Sequence, residues 1–88
     1  MVKLSIIIPI YKAERYVKQC IDSVLKEAPA ESEIILVDDG SPDRCPSICD
    51  DYRIRDDRIK VIHKDNTGLS DSRNIGLDTA VGEYVFFI

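Results

Sequence analysis

The stretch Ile34-Ile35-Leu36-Val37-Asp38-Asp39-Gly40-Ser41 is a short apolar run halted by two acids and a glycine. A run with no polar alternation is the pattern of a strand covered on both faces, as in a parallel sheet lying between helices. Upstream, Leu4 to Ile8 is a second such run, interrupted by Ser5 and closed by Pro9. Between the two, Val17, Cys20, Ile21, Val24, Leu25 and Ala28 recur at i, i+3, i+4 and i+7. That period predicts a helix with one buried stripe, ending at Pro29.

Downstream, Ser41-Pro42-Asp43 has the residues of a helix start, but Pro46 would disrupt a helix begun there. A turn is expected first, then a helix from near Pro46 with the stripe Cys45, Ile48, Cys49 and Tyr52. Ile59 to Ile62 reads as a third strand and Asp65-Asn66-Thr67-Gly68 as a loop. The next segment has a weaker period, yet Leu69, Ser72, Gly76 and Ala80 lie at helical spacing and would pack closely on a sheet. Gly82 is expected in the left-handed conformation that ends many helices, with a fourth strand over Glu83 to Ile88. Strand and helix alternate three times before that last strand, which implies parallel strands and right-handed crossovers. The fold class is α/β: one doubly wound layer of about four mainly parallel strands with flanking helices. Because the sequence stops inside the fourth strand, residues 1–88 are read as an incomplete domain.

Composition narrows the function. The chain has 88 residues, 44% hydrophobic and 32% charged, which suits one soluble domain. Twelve Lys and Arg against sixteen Asp and Glu leave a formal charge of -4, which is no footprint for nucleic acid. Cys20, Cys45 and Cys49 are odd in number and lack C-x-x-C spacing. They argue against a disulfide framework or zinc site and for reduced thiols in a cytoplasmic chain. The apolar runs fall short of the ~20 residues of a membrane span, and the N-terminus lacks the features of a signal peptide. Membrane association of a longer protein stays open.

In open α/β sheets, ligands bind beyond the carboxyl ends of the strands, where strand order reverses. The ends to inspect are Pro9 to Glu14, Asp38 to Asp43, and His63 to Arg73. The acid pair Asp38-Asp39 after a buried strand is costly unless the carboxylates meet donors or water. There a carboxylate can accept from a ribose hydroxyl or a base N–H. Equally, Asp38 can serve as a turn or capping residue and Asp39 can open a solvated Asp-Gly turn. No G-x-G-x-x-G follows the first strand, which argues against a dinucleotide enzyme. A phosphoacceptor domain would need an Asp ending the third strand, where this chain has His63-Lys64. A non-enzymatic α/β module, with the acids as turn and solubility features, remains the alternative.

Three segments together resemble family-2 glycosyltransferases of the GT-A fold. Ser5-Ile6-Ile7-Ile8-Pro9-Ile10-Tyr11-Lys12-Ala13-Glu14 is similar to the family's first strand and its Pro-x-Tyr-Asn-x-Glu run. Ile35-Leu36-Val37-Asp38-Asp39-Gly40-Ser41 resembles its Val-Asp-Asp-Gly-Ser turn, and Gly68-Leu69-Ser70-Asp71-Ser72-Arg73-Asn74-Ile75-Gly76-Leu77 its Gly-Leu-Ser-x-Ala-Arg-Asn-x-Gly-Leu helix. The resemblance implies a Rossmann-like, nucleotide-binding half of a GT-A domain, its N-terminal part. By it, Pro9, Tyr11 and Glu14 would line the nucleoside pocket, Asp39 would bond the base, and Asp38 would support the turn. Arg73 would stand near the nucleotide, suited to phosphate or base-edge contacts. Apart from the resemblance, Tyr11 can be a packed aromatic, Glu14 a helix-start acid, and Arg73 a partner of Asp38 or Asp71.

The implied ligand is a nucleotide sugar, a UDP-sugar, whose sugar passes to an acceptor hydroxyl. Departures are Lys12, where the family often has Asn, and Ser72, where it often has Ala. In the family the fourth strand runs into an Asp-x-Asp that binds Mg²⁺ or Mn²⁺, and the general base lies farther on. This chain ends at Phe86-Phe87-Ile88, so no catalytic residue and no metal ligand is assigned within it. The expectation is at most weak nucleotide binding, no turnover, and either self-association through an exposed apolar edge at Val85 to Ile88 or a disordered C-terminus. His63, the one histidine, is read as structural or solvated.

Overall fold

Seven elements alternate along the computed structural model, which describes residues 2–88. They are β1 (Leu4–Ile10), α1 (Val17–Glu27), β2 (Ser32–Asp39), α2 (Cys45–Arg55), β3 (Ile59–Lys64), α3 (Leu69–Thr79) and β4 (Tyr84–Phe87). The strands form one four-stranded sheet in the order β3-β2-β1-β4, and every pairing is parallel. The chain moves outward from β1 through β2 to β3, then returns across the sheet to place β4 on the other side of β1. Strand order therefore reverses at β1.

Alternate residues of a strand face opposite sides of the sheet, and the two sides are covered by different helices. Ile6, Ile8, Ile10, Ile34, Leu36 and Ile59 form one core with Val17 and Ile21 of α1 and with Cys45, Ile48, Cys49 and Tyr52 of α2. Ile7, Ile35 and Val37 form the other core, with Ile62, Val85 and Ala80 packed against it. On that side α3 approaches so closely that a Cβ on Gly76 would lie 2.5 Å from Ile7 Cγ2. The expected stripe of α2 is the one buried. The expected small-residue stripe of α3 holds at Ser72, Gly76 and Ala80, but Leu69 is 53% exposed.

Two further expectations are corrected. Pro9 lies inside β1, opposite Val37, instead of closing the strand. The carbonyls of Lys3 and Ile7 accept from Tyr84 and Ile88, so odd-numbered backbone groups of β1 face β4. The N–H that Pro9 lacks falls on that side, past the last β1–β4 pair Ile7–Phe87, and no ladder bond is lost. Gly82 is not left-handed, since positive φ among the glycines occurs at Gly40 and Gly68. It serves close approach instead, because a Cβ there would lie 2.6 Å from Ser5 Oγ and 2.8 Å from Ser5 N.

At the opposite end of the sheet from the candidate site, Glu33 is buried in β2. Its carboxylate accepts from Ser5 Oγ, Lys60 Nζ and the Val81 N–H, while Ser5 Oγ accepts from the Gly82 N–H. Burial pushes its pKa up, but these donors outweigh it and hold the group below the ordinary carboxylate value. The cluster fastens the α3–β4 connection to β1 and β2.

Candidate nucleotide site at the strand ends

A cleft of about 440 Å³ opens at the carboxyl ends of β1 and β2, beside the reversal of strand order. Pro9, Ile10 and Tyr11 form one wall; Asn66, Gly68, Leu69 and Ser72, from the β3–α3 loop and the first turn of α3, form the other, with Asp39 between. Its size falls within the range of roughly 300–1,000 Å³ of small-molecule sites. Tyr11 is 43% exposed, with the Lys12 ammonium 5.4 Å from the centre of its ring.

Asp39 is 4% exposed, and its carboxylate is held on every side. Oδ1 accepts from Lys64 Nζ and the Thr67 N–H, and Oδ2 from the Gly68 N–H and Asn66 Nδ2, at 3.0–3.1 Å for the last three. Burial raises its pKa, but the Lys64 ammonium and the two backbone donors outweigh it and hold the group below its ordinary value. An ionised carboxylate offers about four lone-pair directions, and Lys64 at the end of β3 and the loop after it take all of them. The turn that follows needs Gly40: its φ is +67°, and a Cβ would lie 2.6 Å from Asn66 N.

Asp38 faces the other side of the sheet. Its Oδ1 accepts from the Ser41 N–H at 3.0 Å, and its Oδ2 meets His63 Nδ1 at 2.8 Å. Ser41 Oγ in turn accepts from the Lys12 N–H at 3.1 Å. Lys12 has φ of +50°, a left-handed conformation that Asn tolerates better than Lys.

Of the residues singled out from the sequence, Pro9, Tyr11 and Asp39 come together at the cleft. Asp38 lies behind it as a brace of the turn. Glu14 lies elsewhere: its Oε1 accepts from the Arg44 N–H and its own N–H donates to Asp43, joining the β1–α1 loop to the start of α2. Asp43 also accepts from the Cys45 N–H, and that bond leads the causes that hold its pKa low. Arg73 is exposed on α3, its guanidinium 6.0 Å from the centre of the Phe87 ring and outside the cleft lining. Sequence reasoning missed Asn66, Lys64 and Thr67. The strand-end rule pointed to their loop, but nothing in the loop's own residues shows that they converge on Asp39. Among the described residues, no three His, Cys, Asp or Glu side chains gather as a metal-ion site would require.

A doubly wound parallel sheet with a cleft of apolar and polar side chains at its switch point is the architecture of the Rossmann-like α/β nucleotide-binding class. The chain belongs to glycosyl transferase family 2, whose sequence pattern it matches over residues 5–88. It is 49% identical over 85 residues to the uncharacterized glycosyltransferase EpsJ of Bacillus subtilis (strain 168), covering 97% of this chain and 25% of that protein. It is 38% identical to the glycosyltransferase GlyG of Streptococcus pneumoniae serotype 4, covering 97% of this chain and 29% of that one. The chain thus spans about a quarter of the length of these relatives. Its fold matches the crystal structure of S. aureus TarS 1-349 in complex with UDP-GlcNAc, with a TM-score of 0.88 and 35% identity over 99% of this chain and 26% of that one. The GT-A-like α/β fold expected from the sequence is the one found.

Proposed function

We propose that this chain is the nucleotide-sugar-binding portion, the N-terminal part over 1–88, of a glycosyltransferase that passes a sugar from a UDP-sugar to an acceptor hydroxyl. The observation that carries the reading is the cleft where Pro9, Tyr11, Asp39 and Asn66 meet at the strand ends. Family membership supports it, as does the solved complex of TarS with UDP-GlcNAc. The base stacks on Tyr11 beside Pro9, and its N–H is offered to Asp39. Because the Asp39 lone pairs are filled, the base replaces the Asn66 amide on Oδ2, and that amide turns toward the base edge. Asp38 supports the turn from behind. Glu14 braces the loop that carries Tyr11, and Arg73 reaches the nucleotide from outside the cleft.

Transfer breaks the bond between the anomeric carbon and the diphosphate and forms one to the acceptor oxygen, whose proton passes to a base. A divalent metal, Mg²⁺ or Mn²⁺, would stabilise the departing diphosphate in the whole enzyme. The described residues do not assemble ligands for it. This chain alone binds nucleotide and does not turn over; release of UDP from a UDP-sugar above background would contradict that. The free cysteines, two of them buried, fit a reducing cytoplasmic compartment. The exposed edge at β4 fits self-association.

Calorimetric titration with UDP tests the site. Saturable binding is expected, weakened about tenfold by Tyr11→Ala, since stacking on an aromatic ring is worth about 1–3 kcal/mol per base. Absence of saturable binding of UDP, GDP and CDP would remove the reading. One observation favours the alternative, a non-enzymatic α/β module: Asp39 is already satisfied from within. UDP affinity unchanged by Asp39→Ala in a folded variant would show that the assigned pocket is wrong.

A further inference from the structure

His63, the penultimate residue of β3, has each ring nitrogen against a carboxylate: Nδ1 lies 2.8 Å from Asp38 Oδ2, and Nε2 lies 2.8 Å from Asp50 Oδ1. An ionised carboxylate only accepts, so both contacts are hydrogen bonds only when both nitrogens carry protons. The geometry is that of an imidazolium linking β2 to α2 through β3. The groups facing the ring are Asp38 from β2 and Asp50 from α2, with Cys49 next to Asp50. Burial pushes the Cys49 thiol up to about 12, so it stays neutral. The neighbouring Lys64 is turned away onto Asp39. The bonds to Asp38 and Asp50 hold the imidazole pKa above its ordinary value, against the opposing effect of burial.

From Asp38 the contacts continue toward the cleft. Asp38 Oδ1 holds the Ser41 N–H, Ser41 Oγ holds the Lys12 N–H, and Lys12 adjoins Tyr11, which forms the cleft wall. Lys12 sits in a left-handed conformation that an L-residue keeps only when its surroundings impose it. The hydroxyl of Ser41 is the side-chain group bonded to its backbone.

We propose that His63 is a positioning residue for the nucleotide cleft: as an imidazolium it locks the Asp38–Ser41 turn, and through the Ser41 hydroxyl it sets the backbone that carries Tyr11. Nucleotide affinity then depends on pH, an inference that rests on reading the cleft as a nucleotide site. When His63 loses a proton, one nitrogen presents a lone pair to a carboxylate and one of the two ties fails. The tie is complete below the ordinary imidazole pKa of about 6.5 and is lost as pH rises through the higher folded value.

The test combines NMR with UDP titration from pH 6 to about 9 on the parent chain, His63→Gln and the surface variant Asp50→Asn, a range spanning the imidazole transition. Both ring nitrogens should be protonated at neutral pH in the parent, and the amides of Ser41 and Lys12 should shift with the midpoint of His63. UDP affinity relative to His63→Gln, a ratio that cancels titration of the UDP phosphate, should fall about fivefold through that midpoint, the size of one lost hydrogen bond. Asp50→Asn lies away from the cleft; it should lower the His63 midpoint and carry the affinity profile down with it. Ser41 and Lys12 amides indifferent to His63, or a ratio flat across the range, would overturn the proposal. If UDP binds the parent at no pH, the nucleotide reading fails and the affinity claim with it. The amide titration then still decides whether His63 holds the turn.

Discussion

Asp39 commits both carboxylate oxygens to donors from the end of β3 and the loop after it, so substituting it should affect folding as well as binding. Asp39→Asn keeps the shape but turns an amide N–H toward the Thr67 or Gly68 N–H and leaves Lys64, only 10% exposed, without its counter-charge. Urea denaturation should show a loss of about 1–3 kcal/mol, the cost of stranding buried donors. Asp39 and Glu33 both have lowered pKa values in the folded state. Their stabilisation is full above the unfolded carboxylate range of about 4 and is lost as pH falls through the lower folded values. Acid unfolding monitored by circular dichroism should therefore begin below about pH 4, with a shallower slope in Asp39→Asn. Lys12→Asn places a residue tolerant of positive φ where the backbone is left-handed, and should raise stability by about 0.5–1 kcal/mol in the same denaturation assay. The acids at the end of β2 were legible in the sequence because a carboxylate is conspicuous after a buried run. Their partners were not: Asn66 and Thr67 lie 27 and 28 positions away from Asp39, and only strand pairing brings them near.

The helices differ in how far their own sequences declare them. Pro46 and the large apolar stripe of α2 announce its start and its buried face, and both stand as expected. The α3 helix is weakly periodic because its buried face is made of small residues; Ser72 and Gly76 are the buried ones, and Ile7 fills the space a larger side chain would take. Gly76→Ala would force a Cβ to within 2.5 Å of Ile7 Cγ2 and lift α3 from the sheet. A loss of about 1–3 kcal/mol in thermal or urea unfolding is expected, typical of overpacking a tight contact. The connection after α3 shows the limit of local reading. Gly82 has the position of a helix-ending glycine, yet its smallness is needed by Ser5 on β1, far away in sequence. Ser32 and Glu33 extend β2 beyond the apolar run because Ser5, Lys60 and the Val81 N–H satisfy the Glu33 carboxylate.

At the scale of the whole molecule, the β4 edge is a stretch of exposed apolar side chains. Tyr84, Phe86, Phe87 and Ile88 are 65%, 59%, 40% and 47% exposed, and Phe86 and Ile88 join Leu4, Ile6, Val24 and Ala28 around an apolar groove of about 280 Å³. An apolar strand with one unpaired side favours edge-to-edge contact. Sedimentation velocity should show association rising with protein concentration, and Phe86→Glu should return the chain to monomer; a monomeric parent at every concentration would contradict this. Among the described residues, no helix is long and apolar enough to cross a membrane. By itself the sequence determined the number and kind of elements, the parallel class, and the family, because run length, period and motif order are local properties of the chain. The tertiary structure alone decided that β4 lies beside β1 and that the loop after β3 closes on Asp39. It also decided that Glu14 and Arg73 stand outside the cleft and that His63 joins two carboxylates. Those facts depend on which strand ends become neighbours, a long-range outcome of packing both faces of one sheet.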